Sequence, residues 1–180
     1  MMCTPIGHSL AGAIVAHHSP VPFSWSNWKT VSGLLIIANL PDIDLLFGWV
    51  RGNPNQYHQQ ATHSLLFIVV VSLVLGFGAS VVHRGRGFSV GLLIFGILAA
   101  HLFCDMLGKD TQPPIGIPLF WPVSDAACHF PVSIFSYVQK SSDSHTFLGS
   151  LLCWHNVRVV LEETGVMGIA FGILYWVRKR

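Results

Sequence analysis

Two long apolar stretches lie in the middle of the chain and are separated by a short basic turn. Ser64–Val82 contains nineteen residues without a formal charge, and Phe88–Leu107 contains a single acidic residue near its end. A helix needs about 20 apolar residues to cross the hydrocarbon core of a bilayer. The pattern predicts a helical hairpin that crosses a membrane twice.

The other apolar stretches are shorter or interrupted. Val166–Val177 has only twelve residues, so a C-terminal helix crosses only if it begins near Val157. Val31–Leu40 runs into Pro41-Asp42-Ile43-Asp44, which predicts a broken or surface-seated helix. Between the second and last stretches, Gly108–Asn156 contains five prolines, which predicts an interfacial loop with short helices.

The composition changes the picture from a helical protein to a membrane protein. Of the 180 residues, 52% are hydrophobic and only 10% are charged, and the mean hydropathy is +0.57. We therefore expect an all-α, multi-spanning helical integral membrane protein, with residues 1–180 in a single domain. The net charge of +2 and the lack of a basic stripe argue against a nucleic-acid partner. The expected partner is the lipid bilayer, and the oligomeric state is left open.

The basic residues predict an orientation. No Lys or Arg precedes the first apolar residues, so we expect no signal peptide and a retained N-terminus. Arg84 and Arg86 in the hairpin turn and Arg178–Arg180 at the end are the densest cationic clusters. Such clusters stay in the cytoplasm. The open end of the hairpin and the proline-rich loop are then extracytoplasmic, where Cys128 and Cys153 could pair under oxidising conditions.

Ligand-type residues gather at that open end. His101 and Asp105 are four residues apart, so they project from one face of the second hairpin helix. His63 precedes the first hairpin helix at the same end. An ionisable Asp in an apolar helix is unfavourable unless it is compensated. A divalent metal shared by these side chains would compensate it, and the alternative is a hydrogen-bonded pair that bridges helices.

The interrupted N-terminal stretch adds two carboxylates. Pro41 suits the first position of a helix and acidic residues suit its first turn, so helix capping is one explanation. Residues two apart in a helix point to different sides, so we expect Asp42 or Asp44 to be a ligand and the other to be a supporting or bridging group. His58 is five residues before His63, and it either lines the pocket entrance or acts in catalysis. His8 is the remaining candidate.

Short motifs follow one another along most of the chain. They are Gly7-His8-Ser9, Pro41-Asp42-Ile43-Asp44, Thr62-His63-Ser64, His101-Leu102-Phe103-Cys104-Asp105 and Gly116-Ile117-Pro118-Leu119-Phe120-Trp121-Pro122. In this ordered set the chain resembles the bacterial membrane-bound, LexA-regulated metal-dependent hydrolases, the YdjM-like family. The resemblance implies a multi-spanning inner-membrane protein that is a metal-dependent hydrolase. It implies metal residues at His8, Asp42, Asp44, His63, His101 and Asp105.

We assign five residues as metal ligands and two to catalysis. The ligands are His8, Asp42, His63, His101 and Asp105, and the catalytic residues are Asp44 and His58. Mixed imidazole and carboxylate donors favour Zn²⁺, with Mn²⁺ or Fe as alternatives. A fainter similarity to the zinc-dependent phospholipase C and single-strand nuclease group implies that a metal-activated water cleaves a phosphate ester. At a membrane surface, the substrate would be a lipid or a lipid-linked phosphate.

The same residues leave two alternative functions open. A metal-ion transporter is the first alternative, because His and Asp within spans also mark ion pathways, and a non-catalytic membrane scaffold is the second. Ligands near one surface favour the enzyme, since a transporter binds its ion near the midplane. The remaining histidines are expected to be interfacial or hydrogen-bonded: His17, His18, His83, His129, His145 and His155.

Overall fold

The computed structural model describes residues 3–82, 85–111 and 113–180. His83 and Arg84 lie outside the described residues, so the expectations placed on them are untested. The described residues contain no β-strand, which confirms the all-α prediction. The described residues form seven α-helices, α1 (Pro5–His18), α2 (Trp28–Ala38), α3 (Asp44–Val50), α4 (Leu65–Val82), α5 (Gly87–Leu107), α6 (Phe147–Leu151) and α7 (Trp154–Lys179). Three 3₁₀ turns, Pro41–Ile43, Pro54–Tyr57 and Ala61–His63, connect them.

The predicted hairpin is confirmed by α4 and α5, which pack against each other. Both helices are long and apolar enough to cross a membrane. Their close contact depends on glycine, because a Cβ atom on Gly76 would lie 3.0 Å from the Gly91 Cα atom and from the Gly87 carbonyl oxygen. Large apolar side chains such as Leu73 and Phe77 are exposed on the hairpin, as suits contact with lipid.

The second hairpin helix is the centre of the molecule, with α4, α1 and α2 packed around it. The first helix runs antiparallel to α5. Its His8 stacks on His101 near the C-terminal end of α5, while Val15 lies beside Gly96 further back. The start of α1 therefore lies at the level of His101, and the chain of α1 runs from there toward the hairpin turn.

The interrupted apolar stretch is a broken helix, as predicted. The axes of α2 and of the segment Pro41–Val50 differ by 69°, and the two segments together could form a third span. The break has a backbone cause, because Pro41 has no N–H to donate to the preceding turn. Beyond the break, the Asp42 N–H donates to the Asn39 carbonyl at 3.2 Å instead of continuing the helix to Ala38, and the Ala38 carbonyl accepts from His101 Nδ1.

The C-terminal half of the chain is a long loop followed by one long helix. Residues 108–146 contain no helix among those described, and the short α6 follows, as the prolines predicted. Helix α7 begins at Trp154 and packs against α1. By length and composition it is not one of the helices that could cross a membrane, so its crossing stays a prediction. Cys128 and Cys153 are free thiols.

Candidate metal centre

Side chains from four separate segments converge at the C-terminal end of α5. His101 and Asp105 come from its last two turns, His63 from the turn before α4, His8 from the first turn of α1, and Asp42 from the break after α2. The Asp105 Oδ2 atom lies 3.3 Å from His63 Nε2 and 3.4 Å from His101 Nε2. The Asp105 Oδ1 atom lies 3.4 Å from His8 Nε2. The three imidazoles are completely or almost completely buried.

Several of these buried polar atoms have no hydrogen-bond partner among the described residues. They are both ring nitrogens of His8, both carboxylate oxygens of Asp42, Asp105 Oδ2 and His58 Nε2. A buried polar group without a partner is unfavourable by about 1–3 kcal/mol. The donors around a tetrahedral Zn²⁺ with bonds of 2.0–2.1 Å lie roughly 3.4 Å apart. The spacing of the site atoms therefore fits a bound cation better than it fits direct hydrogen bonding.

The donors fall into two adjoining groups that share one carboxylate. In each group the candidate ligand atoms lie within 4.8 Å of one another. The first group contains His8, Asp42, His101 and Asp105, and the second contains Asp42, His58 and His63. Four protein ligands complete a tetrahedral site, whereas three ligands leave a coordination position for water or substrate. The two groups can hold divalent cations, and the second has the composition of an open site.

Hydrogen bonds behind the imidazoles determine which nitrogen faces the site. His101 Nδ1 donates to the Ala38 carbonyl at 2.8 Å, so its Nε2 atom is left toward the other ligands. Asp44 lies outside both ligand groups and holds two imidazoles from behind. Its Oδ1 atom is 2.9 Å from His58 Nδ1, and its Oδ2 atom is 3.3 Å from His63 Nδ1. Carboxylates behind metal-binding histidines commonly have this position.

The surrounding loop also sets the charge state of His58. Burial and the nearby cation of Lys140 together lower the pKa of this imidazole to about 4, although its hydrogen bond to the Asp44 carboxylate opposes both effects. His58 is therefore neutral at pH 7, the form that can bind a metal. Burial also lowers the pKa of Lys140, to about 8, against the opposing charges of Asp42 and Asp105.

A polar pocket of about 380 Å³ opens beside His58. Its walls come from the turn Pro54–Tyr57 with its flanking residues and from two parts of the proline-rich loop, which contribute residues 110–111, 113–114 and 116 and residues 137–140. His58 thus belongs both to the second ligand group and to the pocket wall. The pocket gives a solvent-side approach to the open group.

Two contacts that support the site were missed by sequence reasoning. The backbone N–H of Cys3 donates to Asp105 Oδ1 at 3.1 Å. The buried Glu163 of α7 accepts from the backbone N–H of Thr4 at 2.8 Å and from its hydroxyl, so it fixes the start of α1 and hence His8. The signal for that helix start was present, because Thr4 followed by Pro5 has the residue types of an N-cap and a first helical position.

The remaining histidines in the described part of the chain lie outside both ligand groups. His18 Nδ1 is bonded to the Ile14 carbonyl at 2.8 Å, and His155 Nε2 to the Tyr137 carbonyl at 2.7 Å. These two residues match the expectation of hydrogen-bonded histidines. His145 is exposed in the loop.

A hairpin able to cross a membrane, with a buried His/Asp cluster at one end, defines a helical membrane protein with a candidate metal centre. The family model of the YdjM inner membrane protein matches residues 2–180. The chain therefore belongs to the YdjM inner membrane protein family, and its location is the inner membrane. No curated protein and no solved structure matches the chain.

Proposed function

We propose that this protein is a metal-dependent hydrolase of the inner membrane. The observation that carries the proposal is the set of buried, unpartnered donor atoms on His8, Asp42, Asp105 and His58. Polar atoms of this kind normally have a hydrogen-bond partner in a native structure. His8 Nε2 lies 3.4 Å from Asp105 Oδ1 and 3.9 Å from Asp42 Oδ2, distances that suit a shared cation, and the adjoining pocket supplies a route for a substrate.

The chain's own residues divide into holding and orienting roles. His8, Asp42, His101 and Asp105 would hold one divalent cation, and Asp42, His58 and His63 would hold a second. Asp44, which we predicted to be catalytic, acts here as a positioning residue through the Nδ1 atoms of two imidazoles. A divalent cation in the open group would supply Lewis acidity, which activates water and stabilises charge on a phosphoryl oxygen. Zinc is the first choice because the donors are imidazole and carboxylate.

The depth of the site supports a substrate at the membrane surface. His101 and Asp105 lie in the last two turns of α5, and His63 precedes α4 by two residues. We infer a phosphate ester of a lipid or a lipid-linked compound, cleaved on the extracytoplasmic side. A transporter would place its ligands near the middle of the spans, so the position argues for hydrolysis. A scaffold has no need for the unpartnered donors.

The test is cleavage by purified protein in detergent. We expect release of phosphate or of a phosphorylated headgroup from at least one lipid or lipid-linked phosphate. A chelator should abolish this release, and addition of Zn²⁺ or Mn²⁺ should restore it. A screen without metal-dependent cleavage, combined with ion uptake by the same protein in vesicles, would overturn the hydrolase in favour of the transporter.

A further inference from the structure

The pocket beside the candidate metal centre has walls of unusual chemistry for a membrane protein. Side-chain amides are the most numerous polar groups of its lining, beside a phenol, an ammonium group, an imidazole, a carboxylate and a hydroxyl. The amides come from Asn55, Gln56, Gln59, Gln60 and Gln139, and the other five groups from Tyr137, Lys140, His58, Asp110 and Thr111. Amides both donate and accept hydrogen bonds, as a hydroxyl-bearing ligand requires. Pro113, Pro114 and Val138 supply apolar parts of the same lining.

One of these amides carries an acceptor without a partner among the described residues. The Asn55 side chain donates from Nδ2 to the Ser142 hydroxyl at 3.0 Å and to the Ser141 carbonyl at 3.2 Å. These bonds fix the orientation of the amide. The Oδ1 atom is buried and has no hydrogen-bond partner. A hydroxyl group on a ligand in the pocket would supply the missing donor.

Lys140 places a cation in the pocket wall that His58 also lines. The residue lines the pocket together with His58, and its charge acts on His58 while the charges of Asp42, Asp44 and Asp105 act on it. An ammonium group in such a partly dry site attracts anions strongly. Divalent cations held by the adjoining ligand groups would add to the positive charge of Lys140. The ligand that complements this charge is an anion.

We propose that this pocket binds the phosphate and the adjoining hydroxyl groups of a polar phosphate ester, with Lys140 donating to a phosphate oxygen and Asn55 accepting from a hydroxyl. The inference rests on the proposed hydrolase function, because it names the substrate class of that site. The volume of about 380 Å³ accommodates a small polar headgroup. Any lipid chain of the substrate would remain outside the pocket, along the apolar surface of the protein.

Equilibrium binding of inorganic phosphate to the purified protein tests the role of Lys140. We expect Lys140→Met to weaken phosphate binding about tenfold or more, since a charged hydrogen bond is lost. Lys140→Arg should retain most of the binding because it keeps the charge. Lys109→Met is the matched control, since Lys109 is exposed on the same loop and does not line the pocket. The metal content of all variants should equal that of the wild type.

Two results would overturn the proposal. One is phosphate binding of wild-type strength in Lys140→Met, and the other is the absence of phosphate binding in the wild-type protein. A Lys140→Met variant with altered metal content and unchanged phosphate binding would mean that Lys140 only balances the carboxylate charges. Because binding is measured without turnover, a protein that binds phosphate through Lys140 and cleaves nothing would refute the hydrolase and leave the pocket standing.

The hydroxyl part of the proposal has its own measurement. Glycerol phosphate should bind more tightly than inorganic phosphate, and equal affinities would contradict a role for the amides. Displacement of bound glycerol phosphate by a short-chain phosphatidylglycerol in the same detergent would support a lipid headgroup as the ligand. Resistance to that lipid would support a free phosphate ester of the same chemistry.

Discussion

Three imidazoles of the site make their supporting contacts through Nδ1, and the Nε2 atoms of His63 and His101 lie close to the carboxylates of Asp42 and Asp105. The Ala38 carbonyl holds His101, whereas the carboxylate of Asp44 lies behind both His58 and His63. Asp44 also accepts from the Thr62 hydroxyl at 2.8 Å, so its own orientation is fixed. A single carboxylate therefore determines the geometry of two of the three ligands in the open group.

Replacing Asp44 with Asn should weaken metal binding at the open group about 10–100-fold, the usual effect of removing a partner behind a metal ligand. The amide of Asn has one acceptor oxygen and cannot hold both imidazoles in the same way. A competition titration with a chromogenic chelator measures the change. Asp125→Asn is the control, because Asp125 is exposed in the loop. Equal affinities in Asp44→Asn and wild type would contradict the orienting role.

Residue spacing alone could predict only part of the site. His101 and Asp105 follow from one helical turn, and His63 from the geometry of the hairpin. The pattern offered Asp42 only as one of two carboxylates and His8 only as a remaining candidate, and the family resemblance implied both as ligands. Their position depends on how α1 and the break after α2 pack against α5. Lys140 was missed because the proline-rich loop has no periodicity from which a direction could be predicted.

At the scale of elements, the hairpin depends on close contact between glycines. Gly76 and Gly78 lie two residues apart on α4, but of the two only Gly76 faces the second helix. A Cβ atom on Gly76 would meet the backbone of α5 at 3.0 Å, while a Cβ atom on Gly78 would meet nothing within 4 Å. Gly76 is therefore packed against α5, whereas Gly78 faces open space.

Gly76→Leu should lower the thermal midpoint of the protein in detergent, because overpacking of this kind is unfavourable by about 1–3 kcal/mol. Gly78→Leu is the matched control and should leave the midpoint unchanged, since its side chain would point into open space. Circular dichroism during heating measures both variants. Equal midpoints for the two variants would show that the helices of the hairpin do not pack through Gly76.

The apolar pattern predicted α4 and α5 to within one residue at each end, because every backbone group of a membrane helix must be satisfied within the helix. The break after α2 was also predicted, since Pro41 cannot continue a helix. The start of α7 was less certain. The apolar pattern is interrupted there by Arg158, Glu162 and Glu163. Glu163 also contacts Thr4, which is 159 residues away from it along the chain.

At the scale of the whole molecule, the two described cationic segments lie at the same end. Arg178 donates to the His17 carbonyl at 3.1 Å, at the end of α1 that lies away from the metal centre. Leu174 and Phe88 line one pocket there, which places the C-terminal residues beside the start of α5. The predicted common side for Arg86 and Arg178–Arg180 is therefore consistent with the packing of α1, α5 and α7.

Reporter fusions test which side this is. A reporter at the C-terminus should give a cytoplasmic signal, and a reporter at Thr111 in the loop should give an extracytoplasmic signal, because cationic clusters resist translocation. Replacing the three C-terminal cations with Gln should leave the orientation unchanged, because the cations of the hairpin turn remain. A cytoplasmic signal at Thr111 together with an external signal at the C-terminus would invert the proposed topology.

The most direct test of the central claim is the metal content of purified protein. Wild-type protein should contain a divalent ion, measured by elemental analysis, and His101→Ala should lose most of it while it keeps its helical content and elution volume. His145→Ala should retain the full content, because His145 is exposed and lies outside both ligand groups. Full metal content in a folded His101→Ala protein would contradict the proposed metal centre.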